Sequence, residues 1–378
     1  MSPDHPARTT AMSQARFRPS QKHESATGPD ADQSACWDAD SKWRVFNQFK
    51  VEKRPANTHA EPVTSEGLDM EPVCVAPTCV APTCVAPTGD ICGEAATWDA
   101  ARHRLYWCDI NRFLLHVHDP EAGTTRTHQF DQPVVAISLT DRPGWLLVAL
   151  GGRIILFDPD SGVRETLTPM LADWPDLRFN DGRSDPNGTF WIGTMGNNVG
   201  PHGEALPVRD GMGTLYRYGG GPALEAIETG IGIPNTVCWS PDRRHFYFGD
   251  TLKNEIRVYP YDVETGDIGD GKSFFTGFGR GLPDGSAMDS EGYLWNCRYG
   301  GGCVVRVTPD GTIDRVIDMP VTNITTCTFG GTDLTTLFIT TAAADRADTD
   351  RLAGSLFAIE TGVPGLPEHI FTTTRPAR

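Results

Sequence analysis

No stretch of this 378-residue chain approaches the ~18 consecutive apolar residues that a membrane-spanning helix needs. The N-terminus also lacks a basic stretch followed by an apolar run, so no secretory leader is expected and the cytoplasm is the expected compartment. Positive charge is scarce: 33 Lys and Arg stand against 49 Asp and Glu, a net charge of −16. Residues 1–69 hold nine basic and ten acidic side chains, so nearly all of that excess falls on the rest of the chain. A surface so acidic repels a phosphate backbone, which argues against nucleic acid as a partner. There is no G-x-S-x-G nucleophile elbow and no H-E-x-x-H zinc motif. None of the ten cysteines forms a C-x-x-C pair, and several sit in apolar runs such as Val237-Cys238-Trp239. Reduced, partly buried thiols are therefore expected rather than a zinc site.

Turn-forming residues, by contrast, are plentiful, with 40 Gly and 29 Pro, which favours short strands over long helices. Residues 1–72 are polar, contain proline and show no sustained periodicity; they read as a disordered leader. Residues 73–88 carry Cys-Val-Ala-Pro-Thr three times from Cys74 to Thr88, read as a linker whose last copy could pair onto the first blade of the domain that follows. Met70 precedes it and is a candidate native start. From residue 89 to 378 a pattern recurs: an apolar strand, an Asp/Ser/Gly turn, a second apolar strand, then a third. Clear copies start at Thr97-Trp98-Asp99, Cys238-Trp239-Ser240 and Met288-Asp289-Ser290, and weaker ones near Gly144, Ser184 and Phe329. Six copies spaced by about 40–55 residues match the size of a four-stranded blade. The fold class expected is all-β, a six-bladed β-propeller.

Two motifs invite a functional reading and resist it. Gly266-Asp267-Ile268-Gly269-Asp270-Gly271-Lys272-Ser273 matches the P-loop pattern, but a strand-like Phe274-Phe275 follows where a helix is required, and two aspartates would repel phosphate. It is expected to be a blade-connecting loop. His116 and His118 fall on one face of a strand but lack a third ligand nearby, so packing histidines are expected.

A third set of residues is more informative. Glu94, Asn180, Asn235 and Asp284 each lie beside Gly or Pro just before a blade's first strand. The innermost strands of a propeller converge on the central channel, so these four share one mouth. Oxygen donors without His or Cys suit a hard divalent cation, although Asn, Asp and Gly also favour turns in their own right.

From about Cys84 to the end the chain resembles the senescence-marker-protein/regucalcin/gluconolactonase family. The resemblance is carried by Gly93-Glu94…Trp98-Asp99, Arg178-Phe179-Asn180-Asp181-Gly182, Trp191-Ile192-Gly193-Thr194-Met195, Asn235…Trp239-Ser240-Pro241-Asp242, Pro283-Asp284-Gly285 and Leu337-Phe338-Ile339-Thr340-Thr341. It implies a six-bladed propeller with one divalent cation in its channel (Ca²⁺ first, with Zn²⁺, Mn²⁺ or Mg²⁺ as alternatives) and hydrolysis of a sugar lactone as the activity. It further implies Glu94, Asn235 and Asp284 as metal ligands, Asp284 as the acid/base residue, Arg178 binding substrate hydroxyls, and Asn180 either completing the metal shell or facing the substrate. Two departures stand out. Gly93-Glu94-Ala95-Ala96 replaces the family's common Gly-Glu-Gly-Pro or Gly-Glu-Ser-Pro, and Gly196-Asn197-Asn198-Val199 stands where some members carry a substrate-binding Glu.

A lactone is an ester whose hydrolysis builds negative charge on the carbonyl oxygen, which a bound cation would stabilise. Either Asp284 or the cation itself would activate the attacking water. The alternatives are a calcium-binding regulatory propeller, a scaffold without a metal requirement, or an enzyme for another ester-like bond.

Overall fold

The computed structural model describes residues 81–373, apart from residues 222, 345, 347 and 348. The leader expected at 1–72, the candidate start at Met70 and the first repeats of the linker lie outside the described residues. Every named element is a strand, and the first, β1 (Thr83–Ala86), lies within the stretch expected to be linker.

Six sheets follow in order. Blade 1 is β2 (Gly93–Asp99), β3 (Arg104–Asp109), β4 (Leu114–Asp119) and β5 (Thr124–Gln129). Blade 2 is β6 (Val134–Thr140), β7 (Leu146–Leu150), β8 (Ile154–Phe157) and β9 (Arg164–Thr166). Blade 3 is β10 (Leu177–Ser184), β11 (Phe190–Gly196), β12 (Gly213–Tyr218) and β13 (Glu225–Ile231). Blade 4 is β14 (Pro234–Trp239), β15 (His245–Asp250), β16 (Glu255–Pro260) and β17 (Lys272–Thr276). Blade 5 is β18 (Leu282–Met288), β19 (Leu294–Tyr299), β20 (Cys303–Val307) and β21 (Ile313–Asp318). Blade 6 is β22 (Ile324–Gly330), β23 (Thr336–Thr341) and β24 (Leu356–Glu360), and β1 supplies its fourth strand by pairing antiparallel with β24. The last repeat copy thus joins the last blade instead of the first, and the chain's two ends close the ring.

The first strands contact one another in turn, β2 to β6, β10, β14, β18, β22 and back to β2. They line the channel, and apolar side chains of neighbouring sheets fill the space between blades. One core packs Leu147, Ile155 and Phe157 of blade 2 against Leu115 and Val117 of blade 1; another packs Trp191 and Leu215 of blade 3 against Trp239 and Phe246 of blade 4.

The recurring Asp turn has a specific task. Asp185 and Asp289 each accept two backbone N–H groups of their own turn through Oδ1. Each also accepts the indole N–H of the Trp six residues on, Trp191 and Trp295, at 2.9 Å through Oδ2. Trp107 also donates its indole N–H to a carboxylate, that of Asp90 at 2.8 Å, but from outside the turn. At Asp185 and Asp289 the carboxylate closes the turn and satisfies a buried indole together.

The P-loop look-alike joins β16 to β17 inside blade 4, where Lys272 already belongs to a strand, so it is a loop within a blade and not between blades. His116 bonds Asp90 at 3.1 Å and Thr127 at 2.9 Å, while His118 bonds Thr125 at 3.0 Å. Both are packing histidines. All seven cysteines of the described residues are free thiols.

Candidate active site

All six innermost strands carry a register irregularity near their start: between Glu94 and Thr97, Val134 and Ala136, Phe179 and Gly182, Asn235 and Val237, Pro283 and Ser286, and Ile324 and Cys327. A bulge breaks the period-two alternation and re-aims the side chains beside it. Glu94, Asn180, Asn235 and Asp284 all sit at these bulges, which is how side chains from four different blades reach one place. Two of the bulges need unusual backbone: Ala95 has φ 59° and Thr236 has φ 53°. At Asp284 the following residue must be glycine, because a Cβ on Gly285 would lie 2.0 Å from Thr326 Oγ1.

The carboxyl groups of Glu94 (blade 1) and Asp284 (blade 5) are buried and within hydrogen-bond reach of each other. Burial is the main cause that pushes both toward the protonated form, and for Asp284 the charge of Glu94 comes next. No Lys, Arg or His forms an ion pair with either one among the described residues. A neighbouring carboxyl, Asp181, is also held above its usual range by burial, although Arg183 opposes the shift.

Asn235 stands beside them in blade 4. Its Nδ2 donates to Thr251 Oγ1 at 2.8 Å, so its Oδ1 faces the other way, where the nearest donor is Asn180 Nδ2 at 3.4 Å. That oxygen keeps lone pairs free. Asn180 is more fully engaged: its Nδ2 donates to Pro234 O at 2.8 Å and its Oδ1 accepts from Arg178 Nη1 at 2.7 Å. Arg178 is buried, and Asn198 Oδ1 receives its Nε at 3.0 Å and Nη2 at 2.7 Å. Burial lowers the guanidinium pKa to about 10, with Glu94 as the one carboxylate opposing that shift.

The five residues singled out from the sequence therefore form one cluster. Among the described residues no group of three or more His, Cys, Asp or Glu converges in a metal-ligating arrangement. The donor set is instead two carboxyls and one amide oxygen. It fits a hard divalent cation: two buried acids pressed together without an ion-pair partner among the described residues are the arrangement a dication relieves, and burial pushes the adjacent Cys108 thiol toward its protonated form, which makes it a poor soft ligand. Asn180, with both ends of its amide already bonded, suits the substrate side better than the metal shell.

Three participants were not legible as such in the sequence. Thr251 follows the last residue of β15 with no motif to mark it. Asn198 was visible only as a departure from a family pattern. Glu368 comes from the C-terminal tail, where its Oε1 accepts from Arg183 Nη1 and Thr328 Oγ1, both at 2.7 Å. Arg183 and Thr328 lie at the far ends of β10 and β22, so the tail closes the channel opposite the Glu94–Asp284 end. The tail then pairs as β25 (Ile370–Phe371) with β6.

Comparison with known proteins agrees with this geometry. A family profile described as the SMP-30/Gluconolactonase/LRE-like region matches residues 92–343. A pentonolactonase of Haloferax volcanii is 35% identical over 289 residues, covering 73% of this chain and 93% of that protein. A 6-deoxy-6-sulfogluconolactonase of Pseudomonas putida is 34% identical, covering 74% and 95%. The crystal structure of a calcium-binding protein, regucalcin, from Agrobacterium tumefaciens superposes with a TM-score of 0.71 at 30% identity, covering 78% of this chain and 97% of that one. Fold and sequence thus agree: the chain belongs to the SMP-30/gluconolactonase/LRE-like family of β-propellers.

Proposed function

We propose that this protein hydrolyses the ring ester of a sugar (aldono)lactone to the aldonic acid, using one divalent cation held by Glu94, Asn235 and Asp284. The observation that carries the reading is the buried Glu94–Asp284 carboxyl pair, which has no ion-pair partner among the described residues, together with Asn235 Oδ1, which accepts a long bond of 3.4 Å from Asn180 Nδ2. Relatives named as lactonases support the ester chemistry, and a structural relative named as calcium-binding supports calcium as the cation. When bound there, the cation would supply Lewis-acid polarisation of the lactone carbonyl.

The chain's own residues do the rest. In this reading Asp284 takes the proton of the attacking water and returns it to the ring oxygen as the C–O bond breaks. Arg178 and Asn180 hold the sugar hydroxyls. Because Asn198 fixes the guanidinium along one edge, Arg178 presents its remaining Nη2–H in a set direction.

The test follows proton release from five- and six-membered aldonolactones, including a 6-sulfo derivative, with metal-stripped and metal-reloaded protein. Turnover restored by metal on some of these supports the proposal. Asp284→Asn is expected to keep the fold and lose at least about a hundredfold in kcat, and wild-type rates in that variant would refute the role of Asp284. Stoichiometric calcium binding with no turnover on any lactone would favour a regulatory calcium-binding role instead, the reading that the regucalcin relationship raises.

A further inference from the structure

Thr251 is buried at the seam of blades 4 and 5, and three of its hydrogen bonds tie the two blades' inner strands together. Its N–H donates to Ile233 O at 3.0 Å, its hydroxyl donates to Pro283 O at 2.8 Å, and its Oγ1 accepts Asn235 Nδ2 at 2.8 Å. Pro283 immediately precedes Asp284. One side chain thus ties the amide of Asn235 to the backbone that carries Asp284.

The direction of these bonds is forced. A main-chain carbonyl can only accept, so the single hydroxyl proton of Thr251 is committed to Pro283. Only lone pairs then face Asn235, and the end of the amide lying 2.8 Å away must be the NH₂. Asn235 Oδ1 is thereby turned away from Thr251 toward Asn180 Nδ2 at 3.4 Å, on the face where the proposed cation would sit. The opposite amide orientation would set two acceptors, Oδ1 and Oγ1, against each other and point two N–H donors at the place a cation would occupy. Asn180 guards the flip only weakly from its side: one N–H of its Nδ2 is held by Pro234 O at 2.8 Å, and the other reaches Asn235 Oδ1 at 3.4 Å, a longer bond than the one Thr251 makes.

We propose that Thr251 is a positioning residue for the cation site: by donating to Pro283 O it fixes the handedness of the Asn235 amide, so that an oxygen and not an NH₂ faces the cation. The inference rests on the cation site proposed above. It assigns Thr251 no contact with substrate or metal.

The experiment is calcium titration by calorimetry into metal-stripped, full-length protein, with near-ultraviolet circular dichroism as the check of folding. Thr251→Val, nearly isosteric but unable to donate or accept, is expected to weaken calcium binding by about tenfold or more, whereas Thr251→Ser stays within about threefold of wild type. The decisive background is Asn235→Asp. A carboxylate has two equivalent oxygens and no handedness to set, so Thr251→Val is expected to change affinity there by less than about threefold. A packing role for Thr251 would lower affinity equally in both backgrounds and would overturn the proposal. So would wild-type affinity in the Thr251→Val single variant. If wild-type protein binds no divalent cation at all, the cation site itself falls, and this inference with it. Should Thr251→Val fail to fold, Thr251→Ala read in the same two backgrounds makes the same comparison.

Discussion

Asn198 Oδ1 accepts two hydrogen bonds from a single guanidinium, 3.0 Å from Arg178 Nε and 2.7 Å from Nη2. This buried arginine has no carboxylate ion-pair partner among the described residues, so a neutral amide takes one edge of its charge. The loop that carries Asn198 is itself pinned: Leu206 N–H donates to Asn198 O at 2.8 Å, and Asn111 Nδ2 of blade 1 donates to Gly203 O at 2.8 Å. The loop therefore reaches from blade 3 to blade 1 at the end of the channel where the site lies.

Asn198→Ala removes the one oxygen that meets two N–H donors of the buried Arg178 guanidinium, and leaving such donors unmet costs about 1–3 kcal/mol. Because Arg178 would orient substrate and not move protons, KM is expected to rise more than kcat falls. Urea denaturation and steady-state kinetics on the best lactone check both, and a kcat collapse at unchanged KM would contradict the orienting role.

Removing divalent cations is expected to lower thermal stability, since Glu94 and Asp284 are then left together in a buried site. A cation present at a hundred times its Kd adds about 2.7 kcal/mol. Differential scanning fluorimetry with increasing calcium reads this as a rising midpoint. Glu94→Gln, which removes one of the two charges, is expected to abolish most of the rise; an undiminished shift would place the cation elsewhere.

Deleting residues 1–88 removes β1, whereas deleting residues 1–80 keeps it. Only the longer deletion strips β24 of its partner, opening the pairings Thr83–Ala358 and Cys84–Phe357. Its melting midpoint is expected to fall below that of the shorter deletion by several degrees, given that about 1 kcal/mol moves a large domain by ~2 °C. Equal midpoints would show that β1 contributes nothing to ring closure.

Local chemistry explains which parts were legible in advance. Asp185 and Asp289 announce their turns because the same carboxylate must close the turn and meet a Trp N–H six residues on, a relation contained in one blade. Glu94, Asn180, Asn235 and Asp284 stood out because each blade repeats one phase, and residues at that phase converge once the ring closes. Ala95 could not be read so directly. It adopts φ 59° at a position where the family commonly uses glycine or serine, and the chain tolerates it within a bulge held by flanking pairings.

The sequence by itself determined the number of blades, the strand rhythm and the identity of the acids and amides at the channel mouth, because alternation and turn preference are properties of a few neighbouring residues. The closed ring decided the rest. Thr251 meets Pro283 across 32 positions, Arg183 meets Glu368 across 185, and Thr325 meets Gly93 across 232. No local pattern encodes such contacts, since each depends on how six blades pack round a common axis. That packing also set the direction of the Asn235 amide, because a hydrogen-bond direction exists only once donor and acceptor have been brought together.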